Sequence, residues 1–188
     1  MDGTDAEVIE ASWGDPSVFA EMFHRYYPTV FAYAMRTVGH PDGPDVAADV
    51  FVEAYRSRRR YDTSYPSARG WLLGIAAHLV GTHYRRKARL RSVPVDETIE
   101  GDFADEVAER VDASRSTIMT AMSRLRPAER EILSLFVFAD LSYREIAQAL
   151  GIAQGTVRSR LNRARTKLRN LMAGSNEHME GGQEAPDA

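Results

Sequence analysis

The chain has 188 residues and no cysteine, which excludes disulfide bonds and thiolate metal sites. It also has no run of about 18 apolar residues, so we expect no membrane-spanning helix. The first ten residues are acidic and polar, whereas a signal peptide begins with positive charge. These absences predict a cytoplasmic protein that does not insert into a membrane.

The usual sequence signals of an enzyme are missing as well. There is no glycine-rich phosphate loop and no nucleophile elbow. The five histidines show no metal-binding spacing, since even His78 and His83 are five positions apart and diverge on a helix. We therefore expect a protein that is not an enzyme and that holds no metal and no other cofactor.

Strand-like alternation is absent, and apolar residues recur at helical spacing instead. The pattern predicts an all-α protein with two small helical domains, 1–91 and 113–172, joined by a flexible acidic linker over 92–112. The glycine-containing tail over 173–188 is predicted to be disordered. The predicted helices span residues 4–13, 16–37, 43–59, 67–90, 105–125, 128–138, 142–150 and 154–172.

The charge is distributed unevenly along the chain. The net charge is only −3, which by itself argues against a nucleic-acid partner. Residues 56–91, however, carry ten basic residues and one acid, and residues 92–112 carry eight acids and one base. A second basic block begins after residue 141. The two predicted domains therefore each contain a basic segment, and the average over the chain hides both.

The second basic block has the pattern of a helix-turn-helix. Ser142 and Glu145 form a capping box, and Gly151 is suited to end the first helix. The next helix begins near Gln154 and carries an apolar stripe that includes Val157. A basic helix directly after a capped helix and a glycine turn is typical of proteins that read duplex DNA in the major groove.

Positions in this motif fall into two predicted roles. The early positions of a recognition helix face base edges, which predicts that the DNA-reading residues are Arg158, Ser159, Asn162 and Arg163. Flanking positions more often contact phosphates. The predicted phosphate-binding residues are Tyr143, Arg144, Thr156, Arg160 and Arg165.

The first basic block combines arginines with aromatic residues, which suits unpaired bases because rings stack on bases while guanidinium groups bind phosphates. Trp71 lies on an apolar stripe and taken alone is more often a core residue. Tyr61 and Tyr65 lie in the predicted loop 61–68, and we expect both to be exposed. Upstream, Asp45 and Asp49 share one helix face, where they either solvate the helix start or form an acidic docking surface.

Three segments together resemble the extracytoplasmic-function (ECF) sigma factors of bacteria, in the sigma-70 family. The first runs from Asp42 to Arg56 and resembles sigma region 2.2. The second joins Tyr61-Asp62 with the Arg69-Gly70-Trp71-Leu72 helix and the basic cluster at 85–89, and it resembles regions 2.3 and 2.4. The third is the helix-turn-helix with the segment from Leu125 to Leu133, and it resembles region 4.

The resemblance implies partners and roles. Such proteins bind core RNA polymerase and direct it to promoter DNA, and an anti-sigma factor commonly holds them inactive. Region 2.2 docks on the polymerase, which implies that Asp45, Asp49 and Arg56 form that surface. Regions 2.3 and 2.4 read the −10 element as a single strand, and region 4 reads the −35 element as duplex. The residues implied at the −10 element are Tyr61, Tyr65, Arg69, Trp71, His78, Arg85, Arg86, Lys87 and Arg89.

Two alternatives stay open, one for the class of protein and one for the role of the linker. A stand-alone helix-turn-helix regulator shares part of the region 4 pattern, but it needs no tryptophan–arginine block in its first domain. The acid-rich linker either shields the basic surfaces by mimicking nucleic acid, enters a polymerase channel, or only adds solubility.

Overall fold

The computed structural model describes residues 3–91, 118 and 120–180, and all regular structure in these ranges is helical. The all-α prediction is therefore confirmed. Seven α-helices are described: α1 (Asp5–Ala11), α2 (Ala20–Thr37), α3 (Asp42–Ser57), α4 (Arg69–Arg91), α5 (Pro127–Phe138), α6 (Tyr143–Leu150) and α7 (Gln154–Glu180). All of the predicted linker, 92–112, and most of the predicted 105–125 helix lie outside the described residues.

Two helix boundaries differ from those predicted by more than two residues. The helix expected over 16–37 starts with a 3₁₀ turn, Pro16–Phe19, because the Asp15 side chain caps it by accepting from the Ser17 amide at 2.9 Å. Helix α7 continues to Glu180, so the tail predicted to be disordered from residue 173 is helical over 173–180. The sequence provides no helix-breaking pair before Gly181 and Gly182, which explains the longer helix.

Helices α1 to α4 form the first half of the molecule. Apolar residues at helical spacing on α3, including Val46, Val50 and Ala54, are buried against α2 and α4. Met22 from α2 and Leu72 from α4 are fully buried in the same core. These helices pack as a small bundle because each carries an apolar stripe, and packing against neighbouring helices removes that stripe from water.

Helices α5 to α7 form the second half. The Ser142 side chain accepts from the Glu145 amide at 3.3 Å, and the Glu145 carboxylate accepts from the Ser142 amide at 2.8 Å, so the predicted capping box is present. Gly151 ends α6 with a φ of 61°, in the left-handed region that glycine enters at little cost. Val157 and Leu161 on α7 are fully buried against α5 and α6.

The two halves are packed against each other. Helix α4 contacts both α5 and α6, and a Cβ placed on Gly74 would lie only 2.6 Å from the carbonyl oxygen of Ala149. The Arg130 guanidinium lies 4.7 Å from the centre of the Tyr84 ring. Arg36 reaches the carbonyl of Phe138 at 3.2 Å. The interface therefore combines close backbone approach with polar contacts rather than apolar burial alone.

Candidate nucleic-acid interface

The four predicted base-reading residues lie on the exposed side of α7. Arg158, Ser159, Asn162 and Arg163 are all exposed, while Val157 on the opposite side is fully buried. Ser159 donates to the Thr156 carbonyl at 3.1 Å, and Arg163 donates to the Ser159 carbonyl at 3.3 Å. The start of α7 thus presents a polar and cationic surface.

The predicted phosphate-binding residues surround this surface and differ in how exposed they are. Arg144 is exposed, whereas Tyr143, Thr156 and Arg160 are half-buried. The Arg165 guanidinium lies 4.5 Å from the centre of the Phe136 ring, in a cation–π contact. Arg165 is therefore held in place by packing as well as carrying charge, a feature that the sequence pattern did not indicate.

The loop over 61–68 is ordered by contacts at both ends. Tyr61 is only 6% exposed, and its ring packs on Trp71 with 5.1 Å between the ring centres. Its hydroxyl donates to the Tyr65 carbonyl at 2.6 Å, and burial raises the pKa of Tyr61 to about 12. The expectation that Tyr61 is exposed is wrong, because the ring is more stable against Trp71 than in water. Tyr65 is 37% exposed, as expected.

Helix α4 presents its charged residues in two environments. Arg69 is half-buried at the boundary with the second half, where it donates to the Ala139 carbonyl at 2.7 Å and lies 3.8 Å from the Glu145 carboxylate. Further along, Arg85 donates to the Thr82 hydroxyl at 2.7 Å. The exposed residues of this predicted group are His78, Arg85, Arg86, Lys87 and Arg89. Trp71 is half-buried, which agrees with a core role for most of its ring.

The predicted docking residues lie on the outer face of α3. Asp45, Asp49 and Arg56 are all exposed, and Val52 lies between them with 46% of its surface exposed. Because these positions recur at helical spacing, they form one continuous face. Asp45 is in the first turn of the helix, where it also interacts favourably with the helix dipole.

An apolar groove adjoins this face. It has a volume of about 620 Å³, and its lining includes Phe19, Phe23, Phe51, Val52 and Tyr55. Phe23 is 40% exposed, although it packs on the rings of Tyr27 and Phe51. The signal that could have indicated the groove is the presence of Val52 and Tyr55 on the otherwise polar side of α3.

The interface between the two halves contains an acid in an unfavourable environment. Glu131 on α5 faces His78 and Arg85 of α4 across a small cavity of about 40 Å³. Burial raises the pKa of Glu131, and the nearby charges of His78, Arg160 and Arg85 oppose this rise. Burial also raises the pKa of Tyr33, which bonds with Ser134 in the same region.

The described residues contain neither a metal-binding group nor a membrane-spanning helix. No group of three or more histidine, aspartate or glutamate side chains within residues 3–91 and 120–173 is arranged to hold a metal ion. No described helix is long and apolar enough to cross a membrane.

Two family models match this chain, one in each half. The model for Sigma-70 region 2 matches residues 22–90, and the model for Sigma-70 region 4 matches residues 115–168. These ranges contain α4 with the 61–68 loop and the helix-turn-helix, respectively. Each matched range therefore contains one of the two basic surfaces described above.

Similar proteins and structures agree with this assignment. The ECF RNA polymerase sigma factor SigD of Mycobacterium tuberculosis is 31% identical over 182 residues, covering 93% of this chain and 86% of that protein. The RNA polymerase sigma factor YlaC of Bacillus subtilis is 29% identical over 164 residues, covering 84% of this chain and 93% of that protein. CnrH, solved in complex with the cytosolic domain of CnrY, shares the fold with a TM-score of 0.61 at 24% identity, over 90% of this chain and 97% of that one.

Family matches in both halves and a relative above 30% identity over most of its length point to one assignment. Proteins of this family are initiation factors for transcription, and polymerase carries out the chemistry. The chain therefore belongs to the sigma-70 family as an extracytoplasmic-function sigma factor, a protein that directs RNA polymerase to promoters.

Proposed function

We propose that this sigma factor reads its promoter at two sites of different kind. In this proposal residues 113–172 bind the −35 element as duplex, and residues 1–91 bind the −10 element as a single strand. The observation that carries the proposal is the pairing of an exposed, basic recognition helix with a separate loop and helix that combine exposed aromatic and basic side chains.

The −35 part rests on the geometry of α7. Arg158 and Arg163 are exposed on one side of a helix whose opposite side is fully buried, so the helix can enter a major groove without unfolding its own core. Arginine suits guanine because its guanidinium can donate two parallel hydrogen bonds to the base edge. Arg165, supported by Phe136, is suited to a phosphate because its position is fixed before DNA arrives.

The −10 part rests on the 61–68 loop and on α4. The Tyr65 ring is exposed and can stack on an unpaired base, while the cluster of Arg85, Arg86, Lys87 and Arg89 offers charge to the strand backbone. Tyr61 has a different role in this proposal. Since it is buried and bonds with the Tyr65 carbonyl, it shapes the loop instead of contacting a base.

The polymerase-binding surface is proposed on α3. Asp45, Asp49 and Arg56 supply charge, and the adjacent groove with Phe23 and Val52 supplies apolar area. Interfaces commonly join an apolar centre to a polar rim, and this face has both. The apolar groove thereby extends the surface that the three charged residues indicated.

We also propose an anti-sigma partner and a cytoplasmic site of action. The sigma factor RpoE of Bartonella quintana, with a TM-score of 0.56, was solved in complex with the anti-sigma factor NepR. A polymerase-directing factor has to be where polymerase is, which supports the cytoplasm. In the same proposal the acidic segment 92–112 acts as a linker between the two DNA-binding units.

Run-off transcription tests the function. Purified core polymerase is supplied with genomic fragments, with and without this protein, and the transcripts are mapped. We expect initiation at a defined subset of fragments only when the protein is present, because the core enzyme lacks a promoter-reading surface of its own. A variant with Arg158→Ala and Arg163→Ala serves as the matched control, and it should lose initiation at those promoters that contain a −35 element.

The competing interpretation gives a different result. A stand-alone regulator would bind its sites without core polymerase and would not create new start sites. Tight, sequence-specific binding by the free protein, together with no protein-dependent initiation, would therefore overturn the proposal.

A further inference from the structure

Asp5, the first residue of α1, is buried and surrounded by hydrogen-bond donors from other parts of the chain. It is 5% exposed. Its carboxylate accepts from the Ala68 amide at 2.7 Å, from the Tyr26 hydroxyl in a short hydrogen bond, and from the Arg25 guanidinium at 3.0 Å. A buried carboxylate is costly unless it is paired, and these three donors supply the pairing.

The sequence around Asp5 explains how it reaches this position. Thr4 and Glu7 form a capping box, in which the Thr4 amide donates to the Glu7 carboxylate at 2.7 Å. Thr4, the N-cap, lies one residue before Asp5, so the box starts α1 at Asp5 and fixes its direction. Arg25 also bonds with the Gly3 carbonyl at 2.8 Å and with the Glu21 carboxylate at 3.0 Å, which ties the start of α1 to α2.

One of the three donors that Asp5 engages, the Ala68 amide, belongs to the loop proposed to read the −10 element. Ala68 is the last residue of that loop, it is fully buried, and its carbonyl accepts the first backbone bond of α4 from Leu72 at 2.9 Å. The Tyr26 hydroxyl, besides bonding with Asp5, lies 3.2 Å from the Ser67 hydroxyl. Asp5 therefore fixes the point where the loop turns into α4, 63 positions away along the chain.

The loop has a second support at its other end. Tyr61 bonds with the Tyr65 carbonyl, and the Asp62 carboxylate accepts from the Ser64 amide at 3.0 Å. Between these contacts and the Asp5 contact, the side chains of Tyr65, Pro66 and Ser67 remain exposed. The exposed part of the loop is thus held from both sides, once by its own residues and once by α1.

We propose that Asp5 is a positioning residue for −10 recognition: it holds the 61–68 loop in the conformation that presents Tyr65 to an unpaired base. This inference rests on the proposed function of the loop. It assigns a role in promoter opening to the N-terminal helix, which lies outside the segment matched by the region 2 family model. Asp5 itself does not contact DNA in this role.

The test uses Asp5→Asn in the full-length protein bound to core polymerase. The side-chain amide of asparagine places N–H groups where the carboxylate accepted from three donors, so at least one buried donor loses its partner. Opening is followed with 2-aminopurine in the −10 nontemplate strand of a promoter recovered by run-off transcription. Affinity for core polymerase, and exchange of the Ala68 amide hydrogen with solvent, are measured on the same variant.

We expect opening to fall about tenfold, the size expected when one buried hydrogen bond is left without its partner. Exchange at Ala68 should become faster, and core polymerase affinity should stay within twofold. Glu10→Gln is the matched control, because it changes an exposed acid of the same helix that takes no part in the capping box. That control should leave opening unchanged. If Asp5→Asn does not fold, Tyr26→Phe removes one of the three donors and should give a smaller loss of opening.

The outcomes separate this inference from the proposed function. Tyr65→Ala, which removes the proposed stacking ring, is measured in parallel. If Tyr65→Ala leaves opening unchanged, the loop does not read the −10 element and both proposals fail. If Tyr65→Ala reduces opening while Asp5→Asn does not, the function stands and the positioning role is wrong. An equal loss of opening and of core polymerase affinity in Asp5→Asn would indicate general destabilisation and would also overturn the positioning role.

Discussion

The hydroxyls of Tyr33 and Ser134 are 2.7 Å apart in a buried contact that joins the two halves of the molecule across 101 positions of sequence. Both residues are no more than 2% exposed. Ser134 also donates to the Glu131 carbonyl at 2.9 Å, which leaves its oxygen to accept from Tyr33. The contact is therefore directional, and it belongs only to the packed arrangement.

Replacing Tyr33 by phenylalanine should weaken this packing with little change to either half. We expect a loss of about 1 kcal/mol in the free energy of unfolding, typical of one buried hydrogen bond, because Ser134 keeps its other partner. Denaturant unfolding measures the loss. Tyr27→Phe on the same helix serves as the control, and an equal loss in both variants would contradict a special role for the Tyr33–Ser134 contact.

Adding a methyl group at Gly74 should separate the halves. The new Cβ would be 2.6 Å from the Ala149 carbonyl oxygen, and neither backbone can give way without moving a helix. Gly70→Ala is the matched control on the same helix, since its Cβ would meet the nearest atom at 3.8 Å.

The distance between the halves can be measured with labels. The chain has no cysteine, so a cysteine pair introduced at Glu10 and Asn170 can be labelled uniquely. We expect a longer distance between the labels in Gly74→Ala, and an unchanged distance would show that α4 and α6 do not pack in solution.

Arginine substitutions on α7 should separate base reading from phosphate binding. Arg158→Ala should reduce discrimination between −35 sequences by about 1–3 kcal/mol, the value of a bidentate base contact. Arg165→Ala should weaken binding on all promoters alike and should also lower stability, because it removes the contact with Phe136. Binding is measured with holoenzyme on promoters that differ only in the −35 element. Identical losses on all sequences for both variants would contradict the assignment.

Placing a charge in the apolar groove should weaken binding to core polymerase. Val52 is 46% exposed, so Val52→Asp should change the free energy of unfolding by less than about 0.5 kcal/mol. We expect at least a tenfold loss of affinity for core polymerase, since an unpaired charge would be buried in the interface. Val137→Asp is the control for affinity, because Val137 is a valine on α5 that is 55% exposed and lies outside the groove. Unchanged affinity in Val52→Asp would place the polymerase elsewhere.

The stability of the packed form should depend on pH through Glu131. Burial raises the pKa of this acid, so the folded state favours its protonated form. The corresponding stabilisation is present below the ordinary glutamate pKa of 4.5 and is lost as the pH rises through the raised value. Glu131→Gln should therefore be more stable than the wild type at pH 7 and gain little at pH 4. Thermal unfolding at both pH values checks this, and an equal difference at both would contradict it.

Local signals made much of the fold predictable from sequence. The capping box of Ser142 and Glu145 and the left-handed Gly151 act over a few residues, so the helix-turn-helix could be located without a structure. The burial of Tyr61 and the exposure of Phe23 could not be predicted in the same way, because each depends on contacts between separate helices. The role of Asp5 was equally hidden, since its partners lie 20 to 63 positions away.

The close approach of α4 and α6 at Gly74 has a consequence for the reach of the chain. Because the halves are packed together there, they can move apart only if this contact opens and the segment over 92–117 extends. That segment covers at most about 90 Å when fully extended. If the two halves read the two elements as proposed, this length limits how far apart the halves can lie on the promoter, so shortening the segment would limit which spacings between the elements can be used.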